Sequence, residues 1–173
     1  MSSAPSEGAG SRRIGVLFVC YANMCRSPLA EGVFRHLAAE RGMLERLDID
    51  SAGTDAREGC APHPLSCDIA RVHGITLEGE GRQLVRDDLS RFDHVVVMDR
   101  QNYNRIARLA APSAFGPIEG FRAQVRTLRS IANPRASGRD IDVPDPIGGG
   151  PGIYAKVYEL VAEGCAALLD EIG

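Results

Sequence analysis

Long apolar runs are missing from this chain of 173 residues, and none approaches the ~20 residues that a bilayer-spanning helix needs. The N-terminal stretch MSSAPSEGAGSRR is small and polar, and it lacks the apolar core of a secretory signal peptide. We therefore expect no membrane insertion and a cytoplasmic location. The length fits one domain, so we expect residues 1–12 to form a disordered tail and residues 13–173 to form the domain.

A strong excess of charge of one sign is lacking as well. The formal net charge is −3, which gives no general attraction to nucleic acid or to anionic membranes. Lysine is almost absent, because 19 of the 20 basic residues are arginine. That bias suits phosphate recognition, although a GC-rich genome would also produce it. We expect no nucleic-acid partner, and any anion that the protein binds has to be captured by a local site.

The chain also lacks the even number of cysteines that is typical of a disulfide framework. The five cysteines follow no secretory signal, so we expect free thiols in a reducing compartment rather than a disulfide framework. Cys60, His63 and Cys67 lie close in sequence, but structural zinc takes four ligands from two paired clusters, and only Cys20 and Cys25 could supply a second pair. The spacing is irregular for zinc, and we expect neither a metal nor another cofactor.

Strands and helices alternate along the chain. Residues 14–19 form a continuous apolar block typical of a strand buried on both faces, and residues 27–42 carry apolar side chains at helical spacing. The other predicted strands are 46–54, 92–99 and 123–131, and the other predicted helices are 64–74, 99–110 and 153–172. This alternation predicts an α/β fold, a single domain with a four-stranded parallel sheet and helices on both faces. The long loop 132–152 is expected to be functional or disordered.

Two cysteines, an arginine and a serine stand between the first predicted strand and the first predicted helix, in the stretch VCYANMCRSP. Ligands of open parallel sheets bind at the carboxyl ends of strands, where loop N–H groups and a helix N-terminus favour an anion. The planar guanidinium of Arg26 can clamp two phosphate oxygens. The same positive field stabilises a thiolate, so Cys20 is a candidate nucleophile for phosphorus, with Ser27 as its hydrogen-bond partner. Considered separately, Cys20 would be interpreted as a packed thiol and Arg26 as a surface cation. Their combination between a strand and a helix favours a phosphate-binding loop.

This stretch resembles the signature V-C-x-G-N-x-C-R-S-P of the low-molecular-weight protein tyrosine phosphatases. The resemblance continues in the same order through DIDSAGT, GRQL, FDHVVVMDRQN and DVPDP, and it covers the chain from Ile14 to the C-terminus. It implies an enzyme that hydrolyses phosphotyrosine in proteins, and small aryl phosphates, through a cysteinyl-phosphate intermediate. Its expected partners are phosphotyrosine-containing proteins, and we expect a monomer or a weak dimer.

The resemblance implies a role for each matching residue of the loop. Cys20 would be the nucleophile, Arg26 would bind the phosphate and stabilise the transition state, and Ser27 would stabilise the thiolate. Asn23 would hold the loop in an unusual backbone conformation with support from Ser51, which agrees with the tolerance of asparagine for positive φ.

Cys25 matches a second cysteine found in many members of the family. By resemblance it could form a disulfide with Cys20 and protect it from over-oxidation, and a packed thiol under the loop is an equal alternative. The predicted phosphate-binding loop consists of Tyr21, Ala22, Asn23, Met24, Cys25, Arg26 and Ser27.

A general acid has to protonate the leaving tyrosinate, a step that contributes typically about 10²–10⁴-fold. The resemblance implies that this acid is the aspartate of a late Asp-Pro pair, which is Asp145 in DVPDPIGGG. Asp142 and Asp140 are nearby rivals, and each aspartate could instead form a turn or a helix cap. After the leaving group departs, the same carboxylate would act as the base for the attacking water.

The chain departs from the family pattern at four positions. Ala22 stands where glycine is usual, Ile147 and Gly148 stand where many members carry two tyrosines, and Gly79 stands where some carry a histidine that buttresses the asparagine. The cleft wall is therefore expected to be less aromatic than usual, with Tyr21 as the remaining ring beside a phenyl substrate.

Two other functions fit the same loop. An arsenate reductase of this fold needs two further cysteines to relay electrons, but Cys60 and Cys67 precede the region DRQNYNRIARLAAP in which such a pair is expected. A module that binds phosphotyrosine without cleaving it would need neither a thiolate nor an acid. We therefore expect a phosphatase.

Overall fold

The computed structural model describes residues 11–111 and 118–173. The described strands are β1 Ile14–Cys20, β2 Leu47–Gly53, β3 His94–Val97 and β4 Gln124–Thr127. The described α-helices are α1 Arg26–Glu40, α2 Pro64–Val72, α3 Asp88–Arg91, α4 Arg100–Ala110, α5 Leu128–Ala132 and α6 Pro151–Ile172. Two short 3₁₀ helices lie at Leu44–Arg46 and Gly138–Ile141.

The four strands form one parallel sheet in the order β2-β1-β3-β4. Alternate residues of β1 face opposite sides of the sheet. Because helices cover both sides, β1 is apolar throughout. Val16 and Phe18 pack with the apolar residues of α1, α5 and α6, whereas Leu17 and Val19 pack with those of α3 and α4. The predicted single α/β domain with helices on both faces is confirmed.

One predicted strand was wrong over half its length. The segment 123–131 continues as a strand only to Thr127, and the rest of it belongs to helix α5. Leu128 and Ile131 are buried and three residues apart, which is helical spacing, and both join the core that α6 completes. The pattern also gave no indication of α3, which is one turn long.

The predicted loop 132–152 is slightly shorter than expected and contains the 3₁₀ turn Gly138–Ile141. It leads into α6, which begins at Pro151 in the first turn, where a missing N–H costs nothing. Of the predicted disordered tail, only Ser11 and Arg12 fall within the described residues, and Arg12 forms an ion pair of 2.5 Å with Asp93. No helix in the described ranges is long and apolar enough to cross a membrane.

Candidate active site

The loop between β1 and α1 lies at the carboxyl edge of the sheet, as the chain direction requires. Its carbonyl groups point to the segment that follows β2: Cys20 O accepts from Thr54 N at 2.9 Å, Tyr21 O from Asp55 N at 2.9 Å and Ala22 O from Arg57 N at 3.3 Å. Within the described residues, the N–H groups from Ala22 to Cys25 donate to no protein acceptor. A loop whose carbonyls are turned outward and whose N–H groups remain free suits an anion.

Asn23 adopts the backbone conformation that organises this loop. Its φ is +54°, the left-handed region, and no other non-glycine residue in the described part of the chain has a positive φ. Its Oδ1 accepts from Arg82 N at 2.9 Å, and its Nδ2 donates to Ser27 Oγ at 2.8 Å and to Ser51 Oγ at 3.1 Å. The neighbouring Ala22 needs no left-handed conformation, so its Cβ is accommodated where the family pattern has glycine.

Cys20 is the last residue of β1 and is almost fully buried. Its Sγ lies 2.9 Å from Ser27 Oγ, at the start of α1. Ser27 Oγ already accepts from Asn23, so its own proton is directed at Cys20 Sγ or, at the longer distance of 3.3 Å, at Ala52 O. A thiolate at Cys20 would therefore receive a hydrogen bond from Ser27.

Arg26 is buried beneath the loop and is held at one end of its guanidinium. Nη1 donates to Asp99 Oδ2 at 2.7 Å and to Val143 O at 2.9 Å. Nη2 lies 3.7 Å from Asp145 Oδ2. With Nη1 anchored, the remaining N–H groups can meet a phosphate in the bidentate geometry that arginine favours.

The three candidate aspartates differ in their surroundings. Asp145 is half-exposed, borders the same cavity as Cys20, and accepts a hydrogen bond from Ile147 N at 3.1 Å. Asp142 faces elsewhere, since its carboxylate binds Arg100 through the backbone N–H, Nε and Nη2 at 2.9 to 3.3 Å. Asp140 is exposed in the 3₁₀ turn. Only Asp145 among these three lines the cavity.

The cavity has a volume of about 300 Å³. Cys20 and Arg26 contribute to it, together with the side chains of Tyr21, Met24 and Ile147. Tyr21 and Ile147 are the exposed pair, at 44% and 57%. The Tyr21 hydroxyl donates to Asp55 at 2.6 Å, which fixes its ring beside the site and raises the pKa of the phenol. Gly79 and Gly148, at the other departures, have positive φ.

Cys25 is buried at the edge of the same cavity, with its Sγ 3.5 Å from the hydroxyl of Tyr154 on α6. Burial raises the pKa of the Cys25 thiol, and the proximity of Cys20 and Asp145 adds to the rise. Burial likewise raises the pKa of Tyr154, with a further contribution from Cys25. Cys25 is therefore a neutral thiol at pH 7.

Three residues of the site were not predicted from the sequence. Asp99 caps α4, its carboxylate accepting from Asn102 N, and it also pairs with Arg26. Glu31 on α1 accepts from Ser51 Oγ at 2.7 Å, and Arg57 lines the cavity. The capping pattern Asp99-x-x-Asn102 was visible as a helix start, but its second use depends on the tertiary fold.

The cysteines and histidine considered for other sites do not converge. Cys67 Sγ donates to Pro62 O, and His63 Nδ1 accepts from Leu65 N as the cap of α2. Neither Cys60 nor Cys67 lines the cavity that contains Cys20. Cys165 is fully buried in α6, as expected for a core thiol.

Comparison with known proteins identifies close sequence relatives. A family model described as low molecular weight phosphotyrosine protein phosphatase matches residues 15–173. A low molecular weight protein-tyrosine-phosphatase of Streptomyces coelicolor is 38% identical over 155 residues, covering 89% of this chain and 90% of that protein. The protein YfkJ of Bacillus subtilis, which bears the same family name, is 36% identical over 162 residues, covering 92% of this chain and 96% of that protein.

Solved structures are similar over the same span. The crystal structure of YfkJ from Bacillus subtilis matches with a TM-score of 0.80 at 35% identity, covering 95% of this chain and 97% of that one. DARP, a Drosophila arginine phosphatase, matches with a TM-score of 0.78 at 28% identity, covering 91% of this chain and 96% of that one.

Proposed function

Because the chain belongs to the low molecular weight phosphotyrosine protein phosphatase family, we propose that it hydrolyses phosphotyrosine and small aryl phosphates with Cys20 as nucleophile. The observation that carries the proposal is the convergence of Cys20, Arg26 and Asp145 on one cavity. The free N–H groups of the loop and the anchored guanidinium of Arg26 provide the donors for a phosphate dianion.

The first step transfers the phosphoryl group to sulfur. The Cys20 thiolate attacks phosphorus, an S–P bond forms, and the P–O bond to the phenol breaks. Protonated Asp145 gives its proton to the departing oxygen, so the product leaves as a neutral phenol. Arg26 and the loop N–H groups stabilise the charge on the three equatorial oxygens.

The second step releases the phosphate. Asp145, now a carboxylate, takes a proton from a water molecule that attacks phosphorus, and the S–P bond breaks. Cys20 leaves as a thiolate, which the Ser27 hydroxyl stabilises at 2.9 Å. Inorganic phosphate leaves the loop and Asp145 is again protonated, so the cycle is closed without a cofactor.

The walls of the cavity favour an aromatic leaving group. Tyr21, Met24 and Ile147 present apolar surface beside Cys20, and a phenyl ring can pack against them. Arg57 lines the same cavity and places a positive charge there, which disfavours a guanidino group. We therefore propose phosphotyrosine rather than phosphoarginine as the substrate, in contrast to the structural relative that is named an arginine phosphatase.

Cys25 is proposed as the resolving thiol of a reversible redox switch. If a peroxide oxidises Cys20 to a sulfenic acid, the Cys25 thiol can displace the hydroxyl group, giving a disulfide and water. Replacement of Cys25 by serine should leave Cys20 open to irreversible oxidation, so that a reductant recovers the activity of the native protein but not that of Cys25→Ser. Equal recovery of both would reject the switch.

The natural substrates are proposed to be phosphotyrosine-containing proteins, met in the cytoplasm by a monomer or a weak dimer. No nucleic acid is expected to take part.

The test is hydrolysis of para-nitrophenyl phosphate, a phosphotyrosine peptide and a phosphoarginine peptide in EDTA, with the reduced protein. We expect turnover of the first two and loss of nearly all activity in Cys20→Ser. Cys165→Ser, at a buried thiol that does not line the cavity, is the matched control. Absence of turnover by the reduced native protein, or hydrolysis of phosphoarginine alone, would overturn the proposal.

A further inference from the structure

A second cleft lies beside the active site and is not used by the proposed reaction. It has a volume of about 250 Å³. Its lining consists of Thr54, Gln83, Leu84, Arg105, Arg108 and Leu109. We call it the α4 cleft, since three of these residues belong to that helix. Two arginines line it and no carboxylate does.

The two arginines are exposed side by side on α4. Arg105 and Arg108 are three residues apart on α4, so they lie on one face of the helix. Neither forms an ion pair within the described residues, whereas Arg100 on the same helix binds Asp142. The last turn of a helix favours a cation, which accounts for Arg108, but Arg105 lies in the middle of α4. Adjacent like charges without a counterion favour binding of an anion.

A polar atom of the cleft also has no partner. Thr54 Oγ1 is inaccessible to solvent and makes no hydrogen bond, one of two such side-chain atoms in the described part of the chain. The rest of its segment is well satisfied, because Gln83 Nε2 donates to Thr54 O at 2.9 Å and Gln83 Oε1 accepts from Ala56 N. Because solvent does not reach this hydroxyl, the charge that the cleft presents to a ligand comes from the two arginines.

The α4 cleft and the active-site cavity share a wall. Thr54 lines the cleft, Arg57 lines the cavity, and the segment between them bonds to the phosphate-binding loop through Thr54 N and Asp55 N. The hydrogen bond from Tyr21 to Asp55 stands in this wall. Arg105 is close enough to Tyr21 to oppose the rise in the phenol's pKa that Asp55 causes.

We propose that the α4 cleft binds an acidic side chain of the protein substrate close to the phosphotyrosine, through Arg105 and Arg108. The inference rests on the proposed function, because it needs a phosphotyrosine held above Cys20. A chain leaving the cavity past Tyr21 passes over the shared wall and brings its neighbouring residues to the arginines. Carboxylates in this position add electrostatic attraction to the phosphate contacts.

The test uses matched phosphotyrosine peptides with glutamate, glutamine or lysine at two positions on the amino side or the carboxyl side. For the native protein we expect kcat/KM for one glutamate peptide to exceed that for its glutamine counterpart by about threefold to tenfold at low salt, the range for two exposed charge contacts. The double variant Arg105→Ala with Arg108→Ala should lower this ratio to about one.

Arg46→Ala is the matched control, because Arg46 is exposed at the opposite end of the sheet and forms no ion pair in the described ranges. It should retain the native ratio. Arg105→Glu with Arg108→Glu should invert the preference, so that the lysine peptide is favoured over the glutamine peptide. A melting curve of each variant checks its fold.

The inference fails if the native protein has a glutamate-to-glutamine ratio of kcat/KM close to one on both sides of the phosphotyrosine. It also fails if the double alanine variant retains the native ratio. Hydrolysis of the glutamine peptide by the native protein tests the proposed function separately. Absence of that hydrolysis rejects the proposed phosphatase function. Hydrolysis without a preference for glutamate rejects only the proposed role of the α4 cleft.

Discussion

Glu31 accepts a hydrogen bond of 2.7 Å from the hydroxyl of Ser51, and this contact sets the direction of the hydrogen bonds that lead to Cys20. Since the single proton of Ser51 goes to Glu31, Ser51 Oγ accepts from Asn23 Nδ2. Asn23 also donates to Ser27, which leaves the Ser27 proton free for the sulfur of Cys20. A carboxylate behind the loop thereby orients the donor that would stabilise a thiolate at Cys20.

Replacement of Glu31 by alanine should therefore lower kcat for an aryl phosphate while changing KM little. Loss of a hydrogen bond to a charged group predicts a decrease of about tenfold. Steady-state kinetics measures the split between kcat and KM. Glu40→Ala removes a carboxylate from the exposed face of the same helix and should behave as the native protein. Equal effects of the two substitutions would show that Glu31 does not act through Ser51.

Ser27→Ala should make Cys20 a less reactive nucleophile, because the sulfur loses the hydroxyl 2.9 Å away. The expected consequence is slower alkylation of Cys20 by iodoacetamide at pH 6, together with slower breakdown of the phosphoenzyme. Mass spectrometry of the alkylated protein follows the first effect. Ser130→Ala, which removes a hydroxyl bonded only to Thr127 O, serves as the control. Unchanged alkylation in Ser27→Ala would contradict this role.

Gly53 should not tolerate a side chain. A Cβ at this position would lie 2.6 Å from Tyr21 O and 2.9 Å from Asn23 N, so the phosphate-binding loop would have to move. Gly53→Ala is expected to lower the free energy of unfolding by about 1–3 kcal/mol and to abolish most activity. Gly152→Ala is the matched control, since a Cβ there meets nothing within 4 Å. Urea denaturation measures the free energy of unfolding, and aryl phosphate hydrolysis measures the activity. Full activity in Gly53→Ala would show that the loop does not approach Gly53 so closely.

His94 should make stability depend on pH. Burial lowers its pKa, Arg126 lowers it further, and Asp93 and Glu171 oppose the shift without reversing it. The folded protein therefore holds His94 neutral, whereas the unfolded chain protonates it below about pH 6.5. This stabilisation is complete above that pH and is lost as the pH falls through it towards the lower value of the folded state.

Urea denaturation of the native protein and of His94→Asn at pH 7.5 and pH 5.5 measures this contribution. The loss of stability on acidification should be smaller in His94→Asn. The pKa of Asp93 is also shifted, but it is lowered from 3.8, so its titration lies below this range. An identical loss of stability in both proteins would show that His94 does not carry the effect.

The parts of the site that the sequence predicts are those that are contiguous in the chain. The loop from Cys20 to Ser27 lies between a strand and a helix whose patterns are clear, and the Asp-Pro pair marks Asp145. The fold follows from the alternating patterns. The strand predicted at 123–131 extended too far, because periodicity alone does not distinguish a strand from a helix over so short an apolar segment.

Residues that act through the tertiary fold were not predictable in this way. Glu31 and Arg57 look like ordinary surface charges of a helix and a loop until the parallel pairing of β1 with β2 brings them to the phosphate-binding loop. Asp99 was recognisable as a helix cap, but its contact with Arg26 joins positions 73 residues apart. The cleft formed by Arg105 and Thr54 has the same origin, since each residue borders it from a different element.

The most direct test of the account is to trap the phosphoenzyme. With para-nitrophenyl phosphate the leaving group needs little protonation, so Asp145→Asn should form the S–P bond and hydrolyse it slowly for want of a base. Rapid acid quench followed by mass spectrometry should then find a phosphoryl group on the peptide that contains Cys20, and none in a protein that also carries Cys20→Ser. A phosphoryl group on another residue, or turnover without any phosphoenzyme in Asp145→Asn, would contradict the account.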